Sequence, residues 1–177
     1  MSDFLVLPGV YKALFLYIEP ASTILPAILI WFAPGAAWFH HELIPAPPQE
    51  QVSSLDGRTR MAIWQLGNCC YLLLGMLSSL VFRAIRDALP NNPIAQERIL
   101  GASLLAMAIA DATHIVASFI GLPESLKYRP GLWNPTTHGN ISFVIILLLF
   151  RIAWFSGIGR TRYYFGQQRS RVQVKRI

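Results

Sequence analysis

Four long apolar runs constrain this chain more than any other feature. They lie near residues 11–33, 61–84, 99–121 and 139–159. Each reaches the roughly 20 mainly apolar residues that a helix needs to cross a hydrocarbon core about 30 Å thick. The runs are too long for strands and lack period-two alternation, which also argues against a transmembrane barrel. A bilayer offers no water to unpaired backbone groups, so such runs fold as helices. The expected fold is all-α: a four-helix transmembrane bundle, one integral-membrane domain over residues 1–177, ending in a basic tail over 160–177.

Composition agrees. Hydrophobic residues make up 54% of the chain and charged residues only 14%, where soluble domains carry roughly 25%. So much apolar surface excludes intrinsic disorder and argues against a water-soluble globule. The net charge of +6 is read as a membrane-orientation signal, and no nucleic-acid partner is expected.

The connections carry turn residues. Pro34-Gly35 and Pro45-Ala46-Pro47-Pro48 follow the first run, Pro90-Asn91-Asn92-Pro93 separates the second and third, and Pro130-Gly131 and Asn134-Pro135 precede the fourth. Pro20 and Pro26 predict a kink in the first span. Four spans place both termini on one side. With the middle loop, that side holds ten Lys and Arg residues: Lys12, Arg83, Arg86, Arg98, Arg160, Arg162, Arg169, Arg171, Lys175 and Arg176. The other side holds four: Arg58, Arg60, Lys127 and Arg129. The positive-inside rule then puts both termini in the cytoplasm, and the tail is placed to meet anionic membrane lipids. The ending Val174-Lys175-Arg176-Ile177 faintly echoes dilysine retrieval signals, so the endoplasmic reticulum is the expected compartment.

Smaller signals are plain. Met1-Ser2-Asp3-Phe4 has no basic region before the first apolar run, so that run is expected to be a permanent anchor. Cys69 and Cys70 are adjacent and suit neither a disulfide framework nor zinc spacing, so they read as small packing residues. Asn140-Ile141-Ser142 is a glycosylation sequon placed too near the membrane for use. His40-His41-Glu42 is a poor metal site because neighbouring histidines point to different helix faces. No metal and no cofactor are expected.

Ionisable residues inside the spans are the informative ones. Charge at the bilayer centre costs ~2.5–3.5 kcal/mol on insertion scales, so such groups default to a functional reading. Here they are Glu19, Asp111, His114 and Arg151, with Gln65 and Asn68 adding uncharged polarity. At 1.5 Å per residue, Glu19 lies about 12 Å from the cytoplasmic edge, Asp111 about 18 Å, Arg151 about 12 Å and Asn68 about 20 Å. All four helices thus supply polar groups to one slab. Helical spacing groups Asp111 with His114, Gln65 and Asn68 with Leu72, Gly75 and Ser79, Phe15 with Glu19, and Arg151 with Trp154. The bland alternative is a buried ion pair that only holds the bundle together. Two acids against one fixed cation favour a site instead. A carboxyl in low dielectric favours its neutral acid form and can donate a proton. A dry pocket of this kind suits an isoprenoid or sterol-like substrate. Asp-rich diphosphate motifs, GxSxG, HExxH and P-loop signatures do not occur.

Several stretches carry a resemblance. They are Leu14-Phe15-Leu16-Tyr17-Ile18-Glu19-Pro20, Trp64-Gln65-Leu66-Gly67-Asn68, Ala110-Asp111-Ala112-Thr113-His114, Trp133-Asn134 with His138-Gly139-Asn140, and Arg151-Ile152-Ala153-Trp154-Phe155 with Gly157-Ile158-Gly159-Arg160. Over most of residues 7–160 the chain resembles a family of small fungal four-helix membrane proteins of unknown function, some associated with secondary-metabolite pathways. More loosely, in architecture, it is similar to the membrane-bound terpene cyclases of fungal meroterpenoid pathways and to emopamil-binding-protein-like sterol isomerases. That likeness implies an intramembrane acid that protonates an epoxide or an olefin.

The expected function is therefore a cofactor-free terpenoid or meroterpenoid cyclase or isomerase working by general acid catalysis. Glu19 or Asp111 is the expected proton donor, with His114 orienting the acid or taking a proton back. Gln65, Asn68, Arg151, Trp154 and Phe15 are the expected substrate-binding residues, Arg151 also keeping the partner carboxylate ionised. Trp133 would cap the lumenal mouth. The alternatives are a non-enzymatic lipid- or sterol-binding protein and a small membrane scaffold subunit.

Overall fold

Asn and Asp caps decide where three of the four long helices begin. Asp56 accepts the backbone N–H groups of Arg58 and Thr59, and Asn92 and Asn134 cap helices that open with Pro93 and Pro135. A proline in the first turn loses nothing, because that N–H has no helical partner. The computed structural model describes residues 4–45 and 54–165. Its helices are α1 (Val10–Trp31), α2 (Ala36–Glu42), α3 (Gly57–Ala88), α4 (Pro93–Gly121), α5 (Glu124–Lys127) and α6 (Pro135–Ser156). Among the described residues there are no strands. Helices α1, α3, α4 and α6 are each long and apolar enough to cross a membrane. The chain is all-α with four such spans, as the apolar runs imply.

The boundaries differ in an instructive way. Helices α3, α4 and α6 begin about four to six residues before the apolar runs do, because their first turns are polar. Helix α6 also stops at Ser156, where Gly157 takes a left-handed φ of 75°, a common helix terminator. Helix α1 runs on through Pro20 and Pro26. The hydroxyls of Ser22 and Thr23 donate to the Glu19 and Pro20 carbonyls there. The carboxy-terminal end of the basic tail, with the Val174-Lys175-Arg176-Ile177 ending, lies outside the described residues.

Three spans contain a wider π-helical stretch: Leu14–Ile18 in α1, Gly67–Leu73 in α3 and Gly139–Phe143 in α6. Such a stretch rotates everything beyond it relative to an ideal 3.6-residue register. In α1 it ends where Glu19 begins, and Glu19 is fully buried beside Phe15 and Leu16.

Helix α1 packs along α3, and α4 along α6, with α2 folded back on α1 and α3. The core joins Phe15, Leu16, Phe82, Leu100, Leu104 and Trp154. The outside carries exposed Leu25, Leu73, Leu80, Ile109, Ile120 and Ile152, a surface suited to lipid rather than water. Cys69 and Cys70 lie on this exposed side. Both fall within the π-helical stretch of α3 and are exposed rather than packed inside the bundle.

The long-range hydrogen bonds pair the ends as four spans require. Trp154 Nε1 donates to the Val6 carbonyl (2.9 Å) and the Tyr11 hydroxyl to the Ile158 carbonyl (2.7 Å), which joins the start of α1 to the end of α6. At the other end, Asn134 Nδ2 donates to the Glu42 carbonyl at 2.9 Å and to its carboxylate at 3.1 Å.

Two predictions arise from this frame. A Cβ on Gly75 would sit 2.7 Å from Ile24 Cγ1 and 3.1 Å from the Pro20 carbonyl oxygen. Gly75→Ala should therefore push α3 off α1 and cost about 1–3 kcal/mol, read as a lower unfolding temperature in mild detergent. Asp56 is exposed, and its bonds from Thr59 (hydroxyl and N–H) and from Arg58 N–H hold its carboxyl below the ordinary value of 3.8. Because the folded value is lowered, the cap is intact at neutral pH and is lost as pH falls through that value. An NMR titration of the Asp56 carboxyl should show a midpoint under 3.8, and Thr59→Val should move it back up.

Candidate functional site

Three of the expected residues meet. Arg151, on α6, reaches across to Glu19 on α1 through Nη2 and to Asp111 on α4 through Nη1 at 3.1 Å. The side chains of Arg151 and Glu19 are sealed, with 0% and 1% of their surface exposed, whereas Asp111 keeps 9%. Asp111 is thus the member reached first from outside. Phe15 lies under the guanidinium, its ring centre 5.4 Å from Cζ. Beyond the two ion pairs, Glu19 Oε2 and Arg151 Nε are left over, buried without a hydrogen-bond partner among the described residues. Buried polar atoms without partners are uncommon and call for a reason.

The charges do not balance. Two carboxyl groups face one guanidinium in a low-dielectric slab, and with both ionised the cluster would carry a net −1. An ion pair in such a place is held by geometry, since desolvation opposes the Coulomb attraction.

The other expected residues fall elsewhere. His114 is half-buried and interacts with the Asn140 side chain of α6, and Asn140 also accepts from the Tyr71 hydroxyl at 3.1 Å. Gln65 and Asn68 are exposed, away from the cluster. Asn68 accepts from Trp31 Nε1 at 3.2 Å, beside Trp31 and Trp64 stacked at 5.4 Å. The stripe joining Gln65 and Asn68 to Gly75 assumes an unbroken 3.6-residue period, and the π-helical stretch Gly67–Leu73 breaks it. The inward residues of α3 are Ile63, Gly67, Gly75, Ser78, Phe82 and Ile85. Trp154 is buried but points to the chain ends rather than to the acids. Trp133 donates to the Leu126 carbonyl at 2.8 Å and packs on His138 in the loop end of the bundle.

A second buried cluster was not anticipated. Glu97, on α4, pairs with Arg160 at 2.7 Å, both side chains 0% exposed. One Glu97 oxygen also accepts the backbone N–H groups of Tyr163 and Tyr164. Arg160 stacks 3.8 Å from the Trp154 ring centre. Glu97 lies just before the apolar run that begins at 99. The Asn92-Pro93 cap was the available signal that the helix starts early enough to bury it.

The two described clefts lie at opposite ends. One, of about 190 Å³, is lined by Leu43, Ser118, Thr137, Asn140 and neighbours. The other, of about 760 Å³, lies between the amino-terminal segment and the turn after α6. Neither is lined by Glu19, Asp111 or Arg151.

A family defined as a domain of unknown function (DUF7704) matches residues 4–161. The chain belongs to this family. The match spans all four membrane-length helices and all three members of the acid–arginine cluster. No curated protein and no solved structure matches the chain. With its four apolar spans and lipid-suited exterior, this DUF7704 chain is an integral membrane protein.

Proposed function

We propose that the Glu19–Arg151–Asp111 cluster is a membrane-embedded general acid, and that the protein isomerises or cyclises an isoprenoid or sterol-like lipid. The observation that carries this reading is the surplus carboxyl: two buried acids share one guanidinium, and Glu19 Oε2 has no partner. The proton that neutralises the cluster moves to an alkene carbon or epoxide oxygen of the substrate. The resulting cation then loses a proton from a neighbouring carbon to a carboxylate, so the product has the mass of the substrate. Asp111, the member with surface to spare, is the donor that faces the substrate. Arg151 keeps its partner carboxylate ionised and Phe15 supports the guanidinium from below. His114, held by Asn140, is free of the acids and lies outside this step.

A second reading is favoured by the sealed packing and by the absence of the three residues from both described clefts: the cluster locks α1, α4 and α6 together. The experiment is a turnover assay in microsomes containing this chain alone, fed a panel of epoxidised and non-epoxidised prenylated lipids and sterols. An isomer of unchanged mass that disappears with Asp111→Asn supports the acid. Unchanged substrates throughout, from well-folded protein, favour the lock.

A further inference from the structure

The larger cleft lies between the segment before α1 and the turn after α6, and Asp111 does not line it. Its walls include Leu7, Pro8, Lys12, Gly159, Arg160 and Thr161. Lys12 is two residues beyond the start of α1, hence about 3 Å along the axis, at the depth where chains give way to headgroups. Lys12 is half-buried and takes part in no ion pair among the described residues. The side chain of Arg160 is fully buried. Its Nε donates to the Trp154 carbonyl at 2.7 Å and its Nη1 to the Thr161 carbonyl at 3.1 Å, while Nη2 has no hydrogen-bond partner among the described residues. Glu97, behind the cleft, is already committed to Arg160 and to two backbone N–H groups. Among the described residues that line the cleft, the charged side chains are Lys12 and Arg160; with Glu97 paired to Arg160, Lys12 is left as a positive charge beside a buried guanidinium N–H that lacks an acceptor.

A buried donor without an acceptor is costly, and a phosphate oxygen is the acceptor that a guanidinium fits best. We infer that this cleft binds the phosphate headgroup of an anionic phospholipid, between Lys12 and Arg160. Free phosphate is a poor fit: the space is about 760 Å³, and its walls include apolar Phe4, Leu5 and Leu7. Leu5 and Val10, 50% and 55% exposed, continue the apolar surface toward the lipid. This site is separate from the acid cluster and does not depend on it.

The test is native mass spectrometry of the full chain in mild detergent, with dioleoyl phosphatidic acid and dioleoyl phosphatidylcholine at equal concentration. One phosphatidic acid per chain should be retained in preference to phosphatidylcholine. Lys12→Gln should weaken its retention by about tenfold, the value of one charge-assisted hydrogen bond. Lys12→Arg should restore it, which separates loss of charge from loss of fold. Equal retention of the two lipids, undiminished retention by Lys12→Gln, or failure of Lys12→Arg to restore it would overturn the assignment. Displacement of the lipid by millimolar inorganic phosphate would also overturn it, in favour of a free-phosphate site.

Discussion

Arg151→Met should destabilise the folded protein by about 3–5 kcal/mol, the cost of leaving buried charge without its partner. No other side chain replaces the lost cation. Glu19 is sealed at 1% exposure, Asp111 at 9%, and both pair with Arg151 in the structure. The side chain of methionine fills similar space, so the loss reads charge rather than a cavity. Unfolding followed by tryptophan fluorescence in mild detergent should show it, because Trp154 is buried one turn beyond Arg151 on α6. The triple variant Glu19→Gln/Asp111→Asn/Arg151→Met removes the charges together. Replacing a whole buried ionic cluster by neutral groups is often neutral or stabilising. The triple variant should therefore recover most of the stability that Arg151→Met loses. If Arg151→Met unfolds no more easily than the wild type, the cluster is not the buried ionic unit described above.

The second large effect concerns turnover. With Asp111→Asn the cluster loses the carboxyl nearest the outside, and with Glu19→Gln it loses the surplus acceptor. A positioned acid or base contributes about 10²–10⁴-fold to a rate, so each substitution should lower isomer formation by about that factor. Both substitutions leave one carboxylate to balance Arg151, so each should cost far less stability than Arg151→Met. A lock behaves the other way round: loss of either acid lowers the unfolding temperature, and there is no isomer to lose.

Much of this was legible in the sequence because lipid imposes a coarse rule. Apolar runs of membrane length have one stable backbone solution, so four spans and their parity follow from hydropathy alone. Glu19, Asp111 and Arg151 stood out for the same reason: charge within such a run must find charge. The placing of Gln65 and Asn68 failed because facing was read with a constant 3.6-residue period, while Gly67–Leu73 adopts a wider turn. Nothing in Gly67-Asn68-Cys69-Cys70 announces that turn. The turn opens at Gly67, which lies close to Ile30: a Cβ there would be 3.2 Å from Cγ2. His114 turned to Asn140 rather than to Asp111 because residues three apart share a face without being obliged to touch. Glu97 and Arg160 were missed because each lies beyond an apolar run, and their burial comes from the chain folding back after Gly157.

The most direct measurement compares isomer formation by the wild type and by Glu19→Gln/Asp111→Asn/Arg151→Met in microsomes, on one panel of prenylated lipids and sterols. Equal amounts of folded protein should be confirmed by detergent extraction and unfolding temperature. A proton-donating cluster predicts an isomer from the wild type and none from the equally stable triple variant. The same isomer from both, or none from either, would contradict it.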